Sequence, residues 1–205
     1  MVSRDPESAK IIKPFLTGRN IRKWDADAQE KWLIYTNHGA RVSHLPAVIE
    51  HLEPFREQLE GRATRQEWYE LQQPQARYAS AFEQPKIVFP DIAKNLRFAF
   101  DTSGAYLGNT AYFVAADDLY LLGLLNASAV EGFYVESSAQ IRGGYLRFFR
   151  QYVEQIPIPD APVADREAIA ELVQRCLDAK GVGCEEWEAE IDGRVAALYG
   201  LSGGS

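Results

Sequence analysis

Two prolines, Pro157 and Pro159, divide the chain into parts with different sequence patterns. Before them, short β-branched and aromatic runs alternate with turn residues, which indicates brief strands in a compact body. After them, apolar residues recur at helical spacing in two stripes. The chain is therefore predicted to be α+β, with a curled, mostly antiparallel β-sheet region and packed helices over residues 1–159. An α-helical hairpin follows over residues 160–201, and residues 202–205 form a flexible tail.

Five runs in the body have the β-branched and aromatic composition of strands. They are Ile11–Leu16, Trp32–Thr36, Lys86–Phe89, Leu96–Phe100 and Ala111–Val114. Apolar periodicity predicts a helix over residues 48–59, which Pro54 should kink or divide in two, and further helices over residues 119–126 and around residues 130–135. Asp117 or Asp118 is the expected N-cap of the helix over 119–126. The stretch 62–80 has no clear period, and long irregular stretches are often functional.

The C-terminal hairpin is predicted to turn at Gly181-Val182-Gly183 and to carry one apolar stripe on each helix. The stripes consist of Ile169, Leu172, Val173, Cys176 and Leu177 on the first helix, and Trp187, Ile191, Val195 and Leu198 on the second. An apolar stripe of this kind is buried against another surface. That surface is either the preceding body or another chain.

Length and composition suit one domain with an appendage. With 205 residues, 46% of them hydrophobic, the chain can bury a substantial core. No apolar run approaches the roughly 20 residues that a membrane helix needs, and the N-terminus lacks the apolar region of a signal peptide. We therefore expect a cytoplasmic protein without a membrane partner.

The net charge of −7 is unevenly distributed. Residues 1–159 carry 18 basic and 19 acidic side chains, whereas residues 160–205 carry 4 and 10. Because lysine and arginine dominate phosphate binding, the acidic average argues against a nucleic-acid partner for the whole chain. The nearly neutral body can still present a basic face, although tight binding would need help from a companion module.

Catalytic and metal-binding patterns find little support. Cys176 and Cys184 have neither a disulfide nor a zinc spacing, and His38, His44 and His51 lack further ligands nearby. A nuclease pattern built from Asp91 and the Asp178–Lys180 segment would place its carboxylates on distant elements, where they cannot share one ion. No nucleophile-elbow motif is present. We expect no catalytic residue and no metal site in this chain.

The run from Ile141 to Pro159 has the most unusual composition. It combines the pair Gly143-Gly144 with Arg142, Arg147 and Arg150 and with four aromatic residues. Arginine neutralises phosphate or reads a guanine edge, and glycine lets the backbone approach a partner closely. The alternative is a glycine turn that leads into an aromatic core strand, with solvated arginines.

This run resembles the signature near the end of the TaqI-like C-terminal specificity domain, the target recognition domain of adenine-specific DNA methyltransferases, fused type II restriction-modification enzymes and related phage-defence enzymes. Other segments match the family in order: Lys13–Trp24, Trp32–Tyr35, His51–Leu59, Lys86–Pro90 and Asn109–Phe113, with Glu190–Leu201 similar to its closing helix. The resemblance covers residues 11–159.

The resemblance implies a DNA target recognition domain that lies beside double-stranded DNA and faces a methyltransferase catalytic domain, in cis or in trans. S-adenosylmethionine is then expected on that missing catalytic domain, and no cofactor in this chain. The family's methyltransferases hold the target amine with an Asn/Asp-Pro-Pro-Tyr/Phe motif, and the chain contains no Pro-Pro pair. It is therefore expected to be non-catalytic alone, whether the full enzyme methylates or is also an endonuclease. Among the aromatic residues, six are expected to build the core: Trp24, Trp32, Phe55, Phe89, Tyr112 and Phe148.

Polar residues in irregular segments are the candidates for DNA contact, because phosphate contacts position a protein and loop side chains reach the bases. They are Arg19, Arg22, Lys23, Arg62, Arg65, Gln66, Trp68, Tyr69, Lys94, Asn95, Arg97, Arg142, Tyr145 and Arg147. The alternative for each group is a solvated loop or a surface cover over the sheet.

A second hypothesis assigns the chain to another class, that of protein-interaction modules. The acidic helical hairpin would then pair with an equivalent hairpin, or with a partner subunit, to assemble a restriction or phage-defence complex. Self-association and DNA recognition are compatible with each other.

Overall fold

A computed structural model describes residues 2–28 and 31–201. Short strands dominate the body: β1 Ile12–Leu16, β2 Ile21–Arg22, β3 Asp25–Ala26, β4 Trp32–Ile34, β5 Lys86–Pro90, β6 Ile92–Ala93, β7 Ala99–Asp101, β8 Tyr106–Leu107, β9 Ala111–Val114, β10 Gln140–Ile141 and β11 Tyr145–Arg147. The helices are α1 Pro46–Leu52, α2 Arg56–Glu60, α3 Ala79–Phe82, α4 Leu119–Leu125, α5 Ser128–Ser137, α6 Arg150–Val153, α7 Val163–Asp178 and α8 Glu185–Leu198. The α+β prediction is confirmed.

The strands form several small sheets with the orders β4-β1-β8, β10-β11-β6, β2-β3 and β7-β5-β9. Their pairings are antiparallel, as predicted, except for the parallel pair of β1 with β8. Because β5 continues directly into Asp91 and β6, it links two of these sheets. The chain segment 86–93 therefore connects the β7-β5-β9 sheet with the β10-β11-β6 sheet.

The predicted helix over residues 48–59 is divided in two at Pro54, one of the two effects expected of that proline. Helix α1 ends at Leu52, a 3₁₀ turn spans Glu53–Phe55, and α2 begins at Arg56. The proline ring clashes with the carbonyl group four residues earlier and removes one backbone donor, so the α-helix cannot continue through it. Asp118 was one of two predicted N-caps for α4, and its carboxylate accepts a hydrogen bond from the Leu121 N–H at 3.0 Å.

The C-terminal hairpin packs on the body rather than leaving its stripes for another chain. Ile169, Leu172, Val173 and Cys176 of α7 and Ile191 and Val195 of α8 are buried in the same cluster as Phe89, Phe98, Leu122 and Phe148. The close approach requires Gly123 in α4, where a Cβ atom would lie 2.6 Å from Ile169 Cγ2. Hairpin and body thus share one apolar core.

Two of the six expected core aromatics are not buried. Trp32, on the outer strand β4, is 61% exposed, and Phe55, at the end of the 3₁₀ turn, is 50% exposed. Trp24, Phe89 and Phe148 are buried, and Tyr112 packs against the core.

The strand predicted over 96–100 is also shorter, since β7 covers only Ala99–Asp101. The backbone of Phe98 bonds instead to the Asn126 side chain and to the Trp24 N–H. These partners take the place of a neighbouring strand at that position.

One ion pair lies inside the body. Lys86 is fully buried and Asp101 nearly so, and the ammonium group lies 2.5 Å from Asp101 Oδ2. The carboxylate also accepts hydrogen bonds from the backbone N–H groups of Ser103 and Ala105, at 3.0 and 3.1 Å. The pair therefore fixes the 101–105 turn against β5.

Candidate nucleic-acid interface

The β10–β11 hairpin presents a cationic tip beside β6. Arg142, Gly143 and Gly144 form its loop, and both glycines have left-handed backbone angles, with φ of 90° and 74°. Only glycine adopts these angles without steric cost, so the pair permits the tight return. The tip places Arg142 in solvent, while Tyr145 on β11 is 39% exposed.

Pairing of β11 with β6 brings residues of two distant segments together. Arg147 lies opposite Ile92, and the chain leaves β6 at once into Lys94 and Asn95. The Lys94 ammonium lies 5.2 Å from the centre of the Tyr145 ring, and the Arg147 guanidinium lies 5.1 Å from the Phe149 ring. Both are cation–π contacts that keep the charged heads at the surface.

The segment 17–22 carries Arg19 and Arg22 to the neighbouring edge. The Gly18 N–H donates to the Thr110 hydroxyl at 3.0 Å, and the Thr110 carbonyl accepts the Asp91 N–H at 3.0 Å. The Asp91 carbonyl in turn accepts the Phe148 N–H at 2.9 Å. Through this chain of hydrogen bonds, the segments 18–22 and 142–147 flank the same turn at Asp91.

These contacts bring residues 18–22, 94–97 and 142–147 close to one another, and the exposed side chains of these segments are called here the three-segment surface. Arg97, half-buried, ends the second segment, and the next residue, Phe98, accepts the Trp24 N–H through its carbonyl at 3.1 Å, two residues beyond the first segment. Asn95 borders it and donates to Glu131 on α5 at 3.1 Å. That the cations of these segments share one DNA-binding face stays a prediction.

The cations of the three-segment surface are largely unneutralised. Over residues 2–28 and 31–201, Arg19, Arg97, Arg142 and Arg147 form no ion pair, and Arg22 turns its guanidinium onto the Arg19 carbonyl at 2.7 Å. Elsewhere in the described residues, Arg4, Arg56, Arg150, Arg166 and Arg194 are paired with carboxylates, whereas Arg41, Arg62, Arg65, Arg77 and Arg175 also form no ion pair. Unpaired arginines are available to an anionic partner.

Lys23 is the exception near this surface. Its ammonium forms an ion pair with Glu188 of α8 at 3.0 Å and lies 5.3 Å from the Trp24 ring. The side chain therefore binds the C-terminal hairpin within the molecule.

The candidates Arg62, Arg65, Gln66, Trp68 and Tyr69 lie in a different place. Their loop is hydrogen-bonded to the segment after β4, with the Thr36 hydroxyl donating to the Tyr69 carbonyl at 2.6 Å. Because β4 runs antiparallel to β1, this contact lies at the start of β1, whereas Arg19 follows its end. Five strand residues span about 17 Å, so the structure does not bring this loop into the three-segment surface.

Within that loop, Arg62 has a structural role. Its guanidinium donates to the carbonyls of Leu59 and Trp68 at 2.7 and 2.8 Å. The Arg56 guanidinium lies over the Trp68 ring at 4.9 Å, and Tyr69 packs edge-on against Trp68. Arg65 remains exposed.

The part of the chain that the structure describes contains no cluster of three or more His, Cys, Asp or Glu side chains able to hold a metal ion. In the same residues, no helix has the length and apolarity needed to cross a membrane. The chemistry that the three-segment surface offers is cationic and aromatic, which suits a polyanion with planar bases.

The chain belongs to the family of TaqI-like C-terminal specificity domains, whose model matches residues 13–158. The expected membership is therefore confirmed. The hairpin helices α7 and α8 lie beyond the matched segment.

Several type II methyltransferases are similar to the chain. M.BanIII of Aneurinibacillus aneurinilyticus is 26% identical over 95% of the chain and 37% of its own length. M.PaeR7I of Pseudomonas aeruginosa is 34% identical over 58% of the chain and 20% of its own length. The chain thus spans little more than a third of these relatives, at most.

Among solved structures, the type IIL restriction-modification enzyme MmeI in complex with DNA has the same fold. The TM-score is 0.70 at 14% identity, with all of this chain and 30% of that chain covered. The shared fold therefore includes the C-terminal hairpin.

Proposed function

We propose that the chain is the sequence-specific DNA recognition domain of an adenine-type DNA methyltransferase or of a fused restriction-modification enzyme. The observation that supports the proposal best is the proximity of three distant segments whose arginines, in the described residues, form no ion pair. Family membership and the similarity to type II methyltransferases support it. The chain would bind double-stranded DNA in the cytoplasm and perform no reaction alone.

A companion catalytic domain, in the same or a separate polypeptide, would carry S-adenosylmethionine and the chemistry. Support comes from the relatives, because the chain matches only a fraction of each methyltransferase. A nearly neutral body supplies limited sequence-independent affinity, so shared contacts from a second domain would strengthen binding.

Within this proposal, Arg19, Arg22, Lys94, Arg97, Arg142 and Arg147 contact phosphates, and Asn95 and Tyr145 lie near base edges. Arg62, Arg65, Gln66, Trp68 and Tyr69 would reach DNA only at a separate position along the duplex. Lys23 stays bound to Glu188 in the free chain.

The experiment is a titration of a fluorescein-labelled, random-sequence duplex with the chain at several salt concentrations. We expect affinity to fall steeply with salt, and Arg147→Ala to weaken binding and lower the salt slope by about one. Arg194→Ala removes the same charge from the C-terminal hairpin, where Arg194 is paired with Glu190 at 2.7 Å. Equal losses for both variants, or salt-independent binding, would reject the proposal.

The alternative is an interaction module that self-associates through the apolar stripes of the C-terminal hairpin. Burial of these stripes within one chain argues against self-association through them. Leu172 and its neighbours on α7 are buried against α4 and the body core within one chain. Association of two chains would have to use other faces of the hairpin.

A further inference from the structure

The C-terminal hairpin contacts the end of the segment 17–24, which carries Arg19 and Arg22. Glu188 Oε1 accepts the Trp24 indole N–H and forms the ion pair with the Lys23 ammonium at 3.0 Å. Trp24 itself is 3% exposed and belongs to the same core cluster as Cys176 and Cys184 of the hairpin. One carboxylate on α8 thus holds two consecutive residues of the body.

The turn between α7 and α8 makes a further contact with this segment through its backbone. At Gly181, with φ of 74°, a Cβ atom would lie 2.9 Å from the Lys23 carbonyl oxygen, so the two backbones touch. Trp24 has φ of 67°, a left-handed conformation that a bulky residue seldom adopts. Trp24 lies in the two-residue turn between β2 and β3, and its N–H donates to the Phe98 carbonyl at 3.1 Å. The contacts from Glu188 and Gly181 add to those that hold this conformation.

We propose that Glu188 is a positioning residue for DNA binding: it keeps the 17–24 segment in the conformation that presents Arg19 and Arg22. The inference rests on the proposed function of the three-segment surface. A segment already ordered in the free protein loses less conformational freedom on binding, which raises affinity. Glu188 does this from α8, a helix outside the residues that match the family model.

Charge and positioning predict opposite effects when Glu188 is removed. Deleting a carboxylate beside a DNA-binding surface reduces repulsion of phosphate and frees Lys23, which tightens binding. Removing the contacts of Glu188 with Lys23 and Trp24 leaves the 17–24 segment less ordered, which weakens DNA binding. The sign of the change therefore separates the two roles.

Glu190→Ala is the matched control, because Glu190 lies two positions along α8 and pairs only with the exposed Arg194 in the described structure. Affinity for a labelled random-sequence duplex and amide hydrogen exchange at residues 18–24 would be measured for both variants. We expect Glu188→Ala to bind about two- to tenfold more weakly than the wild type and to exchange faster. Glu190→Ala should bind as tightly as the wild type, or slightly more tightly, with unchanged exchange.

The pair Glu188→Gln and Glu190→Gln repeats the test with a smaller change, should the alanine variant at 188 not fold. The glutamine at 188 keeps an acceptor for Trp24 and loses the ion pair with Lys23, so a weaker loss of affinity is expected. Affinity for both Glu188 variants equal to that of their Glu190 controls overturns the positioning role. A wild-type chain without salt-dependent affinity for DNA would instead overturn the proposed function.

Discussion

At the scale of single residues, the buried pair of Lys86 and Asp101 is the contact with the largest expected cost of disruption. Asp101→Asn keeps the shape of the side chain but leaves the Lys86 ammonium, fully buried, without a counter-charge. An unpaired buried charge destabilises a protein by about 3–5 kcal/mol. We expect a loss of that order in the free energy of unfolding, measured by urea titration.

The matched control is Glu154→Gln, which breaks the ion pair of Glu154 with Arg150 at 2.6 Å. Both side chains are largely exposed, and exposed pairs contribute about 0–1 kcal/mol. Similar effects of the two substitutions would mean that solvent reaches Lys86 in the native state.

At the scale of elements, glycine-to-alanine substitutions in two helices should have opposite effects on stability, because only Gly123 lies in the contact between α4 and α7. At Gly123, an added methyl group would lie 2.6 Å from Ile169 Cγ2 and 3.0 Å from Val173 Cγ2, so Gly123→Ala should overpack the core and destabilise by about 1–3 kcal/mol. At Gly132 of α5 no atom lies within 4 Å of an added Cβ, so Gly132→Ala should stabilise by up to about 1 kcal/mol.

Thermal unfolding followed by circular dichroism measures both substitutions. A stable Gly123→Ala protein would show that α7 can move away from α4, in which case the hairpin is only loosely docked. That result would also weaken the role of Gly181 in holding the segment 17–24.

Elements with strong local signals were predictable from the sequence. β1, β5 and β9, the N-cap Asp118 and the two hairpin helices lie where periodicity and composition place them. Phe98 shows the limit, because its backbone is satisfied by Asn126 and Trp24 rather than by a strand, and no local pattern encodes partners that distant. Trp32 and Phe55, both expected in the core, show a second limit of sequence-based prediction. The aromatic character of a residue does not reveal whether its side of a strand or helix is covered.

At the scale of the whole molecule, the three-segment surface exists only after folding. Arg19, Arg97 and Arg142 come from parts of the sequence without a common pattern. Hydrogen bonds through Thr110 and Asp91 join the segments of Arg19 and Arg142, and the contacts of Phe98 with Trp24 and of Lys94 with Tyr145 add the segment of Arg97. The sequence singled out the cations, yet it could not separate Arg62, which holds its own loop, from those that share a surface. Nor could the sequence separate Lys23, which is paired within the molecule, from the cations without an ion pair, because its partner Glu188 follows 165 positions later.

Burial also makes the folded molecule sensitive to alkaline pH. Desolvation, followed by the neighbouring Cys184, raises the pKa of Cys176 from 9.0 to about 12. The thiol then ionises first in the unfolded chain, so stability present below pH 9 is lost as the pH rises toward 12. We expect the urea midpoint to fall over that range, and to fall less in Cys176→Ala; identical slopes for both proteins would contradict the assignment.

Chemical labelling of the same cysteines tests whether hairpin and body unfold as one unit. Cys176 and Cys184 are 0% and 2% exposed and lie in the core that both parts share. Native thiols should therefore react with iodoacetamide only through unfolding, at a rate that follows the loss of tryptophan fluorescence. If labelling in the native protein outpaces global unfolding, the hairpin undocks separately. Such undocking would release Trp24 and Lys23 together, and Glu188→Ala, but not Glu190→Ala, should accelerate it.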